Sequence, residues 1–222
     1  MMNSKENEDG MIGPEYPKIE SLFNRDPQSH KFIIGDWRAP EFEALYDIPW
    51  MSTEKIDGTN VRIMWDGHAV TFAGRTGNAS LPATLVNELN ARCRTDHFNQ
   101  VFPPEKYDKL CIYAEGFGRG IQAAGRGYLP QGVDFAVFDI WIGNYWLEWH
   151  NVVDVCEKLN LNHVPVLGEG ALLFWCEQTR QGFPSKIGGQ AEGVVARPAR
   201  VDLYTRGGQR IIVKMKTKDF LR

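Results

Sequence analysis

Residues 50–73, WMSTEKIDGTNVRIMWDGHAVTFA, contain the strongest local structure signal in the chain. Short runs that contain aromatic and β-branched residues predict strands, and the Asp-Gly pairs predict tight turns between them. The expected elements are strands over 50–55, 60–65 and 69–73, with turns at Asp57-Gly58 and Asp66-Gly67. The stretch therefore predicts short antiparallel strands, with a lysine, Lys55, where the first of them ends.

The remainder of the chain continues this mixture of short strands and amphipathic helices. The patterns predict helices over 82–93, 150–159 and 171–180, and strands over 109–115, 133–142, 145–149, 164–167, 191–197 and 210–216. Helices inserted between antiparallel strands are typical of an α+β fold. The polar, acidic first residues lack this periodicity, so we expect a flexible N-terminal arm over 1–20 and one folded domain over 21–222.

Composition excludes several classes of protein. The 222 residues are 43% hydrophobic and 24% charged, which are ordinary values for a globular protein and exclude a coiled-coil, collagen-like or wholly disordered chain. The four cysteines form no C-x-x-C pair, which argues against a zinc module or a disulfide scaffold and predicts reduced thiols in the cytoplasm. No signal peptide and no membrane-spanning segment is predicted.

Charge is distributed unevenly along the chain. The net charge is −3, but residues 197–222 carry eight basic and two acidic side chains. A basic end on an acidic body suggests a local site for phosphate groups. A solvated, salt-bridged pair of strands would have the same composition, so charge alone leaves both interpretations open.

Lys55 lies in the sequence Glu54-Lys55-Ile56-Asp57-Gly58-Thr59-Asn60. A lysine amine is a covalent nucleophile only when it is neutral, so its surroundings must stabilise the neutral form. The K-x-D-G pattern by itself is weak, because it should recur by chance in roughly one chain in twenty of this size. Taken alone, it predicts no more than a surface hairpin.

Five later residues could contribute to the same chemistry. Lys214 and Lys216 are two apart in a strand and share one face, which suits a chain of phosphates. Glu115 and Glu192 place carboxylates on strands, and Phe138 offers an aromatic face on which a base could stack. Each also has a structural interpretation, as a salt-bridge partner, a solvated strand edge or a core aromatic.

The order and spacing of these residues favour the chemical interpretation. The chain resembles the covalent nucleotidyltransferase superfamily of ligases and mRNA-capping enzymes, and within it the RNA ligase 2 family of phage-type and RNA-editing ligases. The resemblance spans about residues 50–216. The motifs that carry it are, in order, Glu54 to Asn60, Gly74-Arg75-Thr76, Glu115 with Gly120-Ile121-Gln122, Phe138-Asp139, Glu192-Gly193 and Lys214-Met215-Lys216. Five or six motifs in order are highly specific, whereas each one alone is not.

The resemblance implies a nucleotidyltransferase fold of the DNA/RNA ligase type (ATP-grasp-like) and a set of site residues. Lys55 would attack the α-phosphate of ATP and form lysyl-AMP, and Mg²⁺ or Mn²⁺ would assist. Glu115 would accept a hydrogen bond from a ribose hydroxyl, and Phe138 would stack on adenine. The implied residues are catalytic (Lys55, Glu115, Glu192, Lys214, Lys216), nucleotide-binding (Glu54, Ile56, Asn60, Arg75, Phe138) and metal-binding (Glu192).

Two features depart from the family pattern. Asp57 stands where RNA ligase 2 members typically have histidine, although Asn60 is typical of RNA rather than DNA ligases. Only residues 217–222 follow the last motif, so we expect no C-terminal domain. The 5′-phosphate of the RNA end would then be engaged by the domain's own basic surface, by an accessory protein, or only inefficiently.

The predicted function is ATP-dependent RNA ligation, in which AMP is transferred from the enzyme to a 5′-phosphate end that is then joined to a 3′-hydroxyl. Because of the two departures, a DNA ligase and a 5′-end adenylating enzyme remain alternatives. GTP-dependent capping is less favoured, since capping enzymes carry an OB domain. A module that binds nucleotides or RNA ends without turnover is the alternative that is not an enzyme.

Overall fold

The computed structural model describes residues 12–76, 79–123 and 125–220. Its strands are β1 (Glu20–Ser21), β2 (Phe23–Arg25), β3 (Phe32–Trp37), β4 (Trp50–Lys55), β5 (Thr59–Trp65), β6 (Val70–Ala73), β7 (Leu110–Gly118), β8 (Val133–Ile142), β9 (Tyr145–Trp146), β10 (Val166–Gly170), β11 (Gly193–Pro198) and β12 (Val213–Lys216). Its α-helices are α1 (Pro40–Ala44), α2 (Ala83–Arg92), α3 (Thr95–Val101), α4 (Gly125–Tyr128), α5 (Trp149–Leu159) and α6 (Leu172–Gln181). The α+β prediction is confirmed. Within the described ranges, no helix is long and apolar enough to cross a bilayer.

The chain divides into two compact units. The first comprises residues 1–17 and 58–163, and the second comprises residues 18–57 and 164–222. Residues 58–163 of the first unit are therefore inserted in the sequence of the second, whereas residues 1–17 precede it. The chain leaves the second unit just after Asp57, at the turn that the Asp-Gly pair predicted, and returns to it at Val164.

The first unit contains a five-stranded antiparallel sheet in the order β6-β5-β7-β8-β9. Helices α2 and α5 cover one face of this sheet, where Leu85 and Leu89 of α2 and Val152 of α5 are fully buried. Burying these apolar side chains is the main stabilising contribution to the unit. The opposite face of β5 and β7 carries polar side chains, including Asn60 and Glu115.

The second unit contains a five-stranded sheet in the order β1-β12-β11-β4-β10, in which only the β1–β12 pair is parallel. Helix α6 packs on one face, against Val194 of β11 and Val213 and Met215 of β12, all of which are fully buried. Side chains alternate along a strand, so the residues between these apolar ones face the other way. Lys214 and Lys216 are therefore on the face opposite the core.

The strands and helices around the motifs were predicted well. Strands β4 and β8 have the predicted bounds, and the bounds of β5, β6, α2, α5 and α6 differ from the predicted ones by at most one residue at each end. Three strands and a short helix between residues 20 and 44 were missed, as were α3 and α4. The predicted N-terminal arm falls partly on residues 1–11, which lie outside the described residues; Tyr16, later in the arm, is buried. The boundary of the arm stays a prediction.

Candidate active site

Lys55, Glu192 and Lys216 meet in the second unit. In the sheet, Gly193 of β11 pairs with Lys55 on one side and with Lys216 on the other. Glu192, the residue before Gly193, accepts a hydrogen bond from each lysine: Oε2 lies 2.5 Å from Lys55 Nζ, and Oε1 lies 2.5 Å from Lys216 Nζ. One carboxylate thus joins the predicted nucleophile to a predicted phosphate-binding lysine.

Gly193 is required by the close approach of two strands. A Cβ atom built at this position would lie 2.0 Å from the carbonyl oxygen of Met215 and 2.8 Å from the Cα of Lys216. Any side chain would therefore push β11 away from β12. In the Glu-Gly motif, Glu192 supplies the carboxylate. Gly193 lets β12 pack close to β11, so that Lys216 of β12 can contact that carboxylate.

The charge state of Glu192 follows from its surroundings. Burial acts to raise the pKa of this carboxyl, but Lys55 and Lys216 outweigh burial through charge and hydrogen bonds, so the pKa is lowered below 4.5. Glu192 is therefore ionised at neutral pH. It offsets one of the two positive charges that it contacts and leaves a net positive group.

Lys214 adds a further positive charge on the same face of β12. Burial, followed by the charges of Lys216, Lys55 and Lys18, lowers the pKa of this amine. Among the described residues, its ammonium group has no hydrogen-bond or salt-bridge partner. A half-buried cation without a counter-ion favours the binding of an anion. The predicted pairing of Lys214 and Lys216 on one face is confirmed.

Asn60 and Glu115 form a second cluster, in the first unit. They are directly paired on β5 and β7, so their side chains share one face of the sheet. Glu115 Oε1 accepts a hydrogen bond from the backbone N–H of Gly58 at 3.1 Å, and the Oδ1 atom of Asn60 is buried without a partner. A buried acceptor without a hydrogen bond costs free energy, and a ligand that donates a hydrogen bond to this atom would remove that cost.

The glycine of the K-x-D-G motif also has a steric role. A Cβ atom at Gly58 would lie 2.1 Å from the carbonyl oxygen of Gly116. The missing side chain lets the turn after Lys55 approach the backbone of β7, where its N–H group reaches Glu115. Gly58 therefore has a packing role within the first unit.

Phe138 and Arg75, both predicted to bind nucleotide, are found beside the segment that leads into the second unit. Tyr16 packs edge-on against Phe138, with ring centroids 4.9 Å apart, and donates a hydrogen bond to Asp139 at 2.8 Å. Arg75 forms an exposed ion pair with Glu15 at 3.5 Å. Sequence reasoning missed Tyr16, whose one signal was an aromatic residue in a polar stretch.

Glu54 and Ile56, on either side of Lys55, are both buried. Glu54 Oε2 accepts a hydrogen bond from the backbone N–H of Lys186 at 3.0 Å, whereas Oε1 has no partner. The second oxygen can therefore accept a hydrogen bond from a ligand. Lys186 was also missed, because a backbone donor in a Gly-rich loop leaves no pattern in the sequence.

The carboxylate that contacts Lys55, that of Glu192, is the candidate ligand for a divalent metal. Within the described ranges, no three His, Cys, Asp or Glu residues are grouped as metal ligands. Glu192 alone fits Mg²⁺ or Mn²⁺ bound mainly through phosphate oxygens and water, which is the usual arrangement for magnesium. The four cysteines offer no alternative nucleophile, since all are free and buried, and burial raises the pKa of Cys111 to about 12.

The site residues fall into separate groups. The second unit brings together Lys55, Glu192, Lys214 and Lys216, with Glu54 and Ile56 beside the lysine. The first unit pairs Asn60 with Glu115 and places Arg75 and Phe138 next to residues 15–16.

Comparison with known proteins identifies the family and the fold. The family model for RNA ligase matches residues 48–216, most of the chain. A variant of the Naegleria gruberi RNA ligase without ligand has the same fold, with a TM-score of 0.65 and 18% identity over 94% of this chain and 58% of that one. A variant with ATP and Mn and another with AMP and Mn each give a TM-score of 0.63 and 19% identity over 93% of this chain and 58% of theirs.

The chain thus spans less than two thirds of the length of these solved ligases. A comparison with curated proteins gave no match. The family model nevertheless covers every motif from Glu54 to Lys216, and the solved structures share the fold predicted from those motifs. The chain belongs to the RNA ligase family.

Proposed function

We propose that the chain is an ATP-dependent RNA ligase that uses Lys55 as its nucleophile. The observation that carries this proposal is the bridge from Glu192 to Lys55 and Lys216, with Lys214 unneutralised on the same face. A lysine nucleophile beside an excess of positive charge suits attack on a phosphate ester, because cations stabilise the charge that develops.

The proposed reaction has three steps. Lys55 Nζ first loses a proton to solvent and attacks the α-phosphorus of ATP; the Nζ–P bond forms, and the bond to pyrophosphate breaks. An oxygen of a 5′-phosphate end then attacks the same phosphorus and releases Lys55. Finally, a 3′-hydroxyl attacks the activated 5′-phosphate, and AMP leaves.

The positions of the residues indicate a role for each in this reaction. Lys214 and Lys216 bind the α-phosphate as its charge increases, and Glu192 orients Lys55 before the attack. Glu192 is also the proposed ligand of Mg²⁺ or Mn²⁺, which when bound would neutralise phosphate charge. The lowered pKa of Glu192 makes it a poor proton acceptor, so the proton of Lys55 is released to water.

The nucleoside is proposed to be recognised by polar atoms that lack partners in the protein alone. Oδ1 of Asn60 and Oε1 of Glu54 are both buried and unsatisfied. A ribose hydroxyl and an adenine amino group are donors of the kind that these acceptors require. We further propose that Glu115 binds the ribose, that Phe138 stacks on adenine, that Ile56 also contacts the nucleotide and that Arg75 contacts phosphate; the family match over residues 48–216, which contains all four positions, supports these roles.

Several broader features belong to the same proposal. Residues 21–222 form the adenylyltransferase domain, preceded by an arm over residues 1–20. The substrates are ATP and RNA ends, and an accessory protein or further domain assists binding of the RNA. The four free, buried thiols suit a reducing compartment such as the cytoplasm. A DNA ligase or 5′-end adenylating enzyme would use the same first step.

The test is intact mass after incubation with ATP and Mg²⁺. We expect the mass of one added AMP, reversal by pyrophosphate, and no adduct in Lys55→Ala. Lys186→Ala is a matched control, since its backbone N–H, which bonds to Glu54, is retained. ATP binding without an adduct, in folded protein that is not already adenylated, would contradict the proposal and favour a binding module. Matched 5′-phosphorylated RNA and DNA ends then distinguish RNA ligation from the other ligase activities.

A further inference from the structure

A cavity of about 610 Å³ lies in the second unit, beside Lys214 and Lys216. Its lining also includes Lys18, Arg25 and Arg38, which belong to the segment before the first motif. Among the ten residues that line it, five are cationic and one, Glu20, is acidic. The cavity therefore extends the positive surface of β12 away from the sequence motifs.

Each of the two arginines is oriented by two polar partners. Arg25 forms an ion pair with the buried Asp219 at 2.9 Å and donates a hydrogen bond to Ser21 Oγ at 3.1 Å. Arg38 contacts Glu20 at 3.2 Å and donates to the Oδ1 atom of Asn24, also at 3.2 Å. Preorganised donors lose less conformational entropy when a ligand binds.

The cations that line the cavity outnumber the carboxylates that contact them. Glu20, Asp219 and Glu192 each offset part of it, but within the described residues Lys18 and Lys214 have no carboxylate partner. A concave site with uncompensated cations concentrates anions, and its volume exceeds what a single phosphate group needs.

The position of the cavity in the sheet indicates which phosphates it would receive. The strands run in the order β4, β11, β12, β1, so Lys55 on β4 and the cavity beside β1 are on opposite sides of the lysines of β12. In phosphoryl transfer, the attacking and leaving atoms are roughly in line across the phosphorus. With the α-phosphate on Lys214 and Lys216, the leaving group points away from Lys55 and toward the cavity.

We propose that this cavity binds the β- and γ-phosphates of ATP and holds the pyrophosphate that leaves when Lys55 is adenylated. The proposal rests on the proposed function, since it takes Lys55 as the nucleophile. The bond between the α-phosphorus and the bridging oxygen breaks, and its electron pair remains on the pyrophosphate, where Lys18, Arg25 and Arg38 balance the added negative charge.

The experiment compares two double variants that remove the same total charge. Lys18→Gln/Arg38→Gln removes two cations from the cavity, and Lys158→Gln/Arg180→Gln removes two exposed, ion-paired cations elsewhere. Binding of magnesium pyrophosphate is measured by calorimetry in a Lys55→Met background, which cannot form an adduct. We expect the cavity variant to raise the dissociation constant by about 10- to 100-fold and the control to change it less than about twofold.

A second experiment tests whether the cavity binds pyrophosphate or the phosphates of an RNA strand. With Lys55 intact, we expect the cavity variant to need more pyrophosphate to reverse lysyl-AMP, while the control behaves as the unmodified protein. Equal pyrophosphate binding in both double variants would overturn the proposal, even if lysyl-AMP forms normally. Unchanged pyrophosphate reversal with slower AMP transfer to 5′-phosphorylated RNA would also overturn it and assign the cavity to the RNA strand. Absence of lysyl-AMP in the unmodified protein would instead contradict the proposed function.

Discussion

Replacing Glu192 with glutamine should destabilise the protein as well as inactivate it. The carboxylate is only 10% exposed and binds Lys55 through one oxygen and Lys216 through the other. Glutamine has nearly the same shape, but it is neutral and offers one acceptor in place of two. The variant would leave two ammonium groups facing each other without a counter-ion, which is the costly way to break a buried ion pair.

The structure sets the size of this effect. Each ammonium nitrogen lies 2.5 Å from its carboxylate oxygen. Since C–O bonds are about 1.2 Å long, the two nitrogens are at most about 7 Å apart. At that distance, an effective dielectric constant of about 20 gives a repulsion of about 2 kcal/mol, which the carboxylate offsets in the unmodified protein and a neutral glutamine would not. For a chain of this size, such a loss should lower Tm by about 4–8 °C.

Thermal unfolding of Glu192→Gln at pH 7, without nucleotide, measures the effect. Glu169→Gln is the matched control, because Glu169 is an exposed residue of β10 in the same sheet. Adding Lys216→Met to Glu192→Gln removes one of the two facing cations and should recover most of the lost stability. A Tm within about 1 °C of the unmodified protein, or no recovery in the double variant, would refute the reasoning.

Three further predictions follow from the same sheet. Lys214→Met should raise the free energy of unfolding by about 1 kcal/mol, because it removes a half-buried, unpaired cation. The rate of adenylation, measured by intact mass, should fall about 100-fold in this variant. A lower free energy of unfolding would contradict this account. Gly193→Ala should cost about 3 kcal/mol in denaturant unfolding, because its Cβ would lie 2.0 Å from the carbonyl oxygen of Met215, whereas Gly127→Ala, with open space around it, should be tolerated. The pKa of Glu192 is lowered from 4.5, so the stabilisation by its carboxylate is complete above that pH and is lost as the pH falls through the lowered value. The difference in the free energy of unfolding between the unmodified protein and Glu192→Gln should therefore shrink below pH 4.5 and persist at pH 7.

The sequence predicted those structural features that depend on a residue and its neighbours in the chain. The Asp-Gly pairs marked the turns after Lys55 and Trp65, and alternation along β12 put Lys214 and Lys216 on one face. Such features depend on residues close together in the chain, for which periodicity is a direct physical signal.

The contacts that complete the site depend on residues far apart in the chain. Glu192 reaches Lys55 because β11 pairs with β4 in a register that no local pattern specifies. The cavity beside Lys214 exists because β1 pairs with β12, and β1 is only two residues long, too short to show alternation. Both depend on long-range strand register, which residue order alone does not give.

The insertion of residues 58–163 into the second unit affects how the protein can be synthesised. The proposed nucleophile, Lys55, lies on β4, whereas the strands that pair with β4 come from residues 166–170 and 193–198. When a ribosome has made the first 165 residues, all of the inserted residues 58–163 have been synthesised, but neither of the strands that pair with β4 has. Domains fold as they emerge, so the inserted unit can form first, while Lys55 waits in an unpaired strand until the last quarter of the chain appears. Aggregation during synthesis would accordingly start at β4, and a slow step late in translation would lengthen the time for which that strand is exposed.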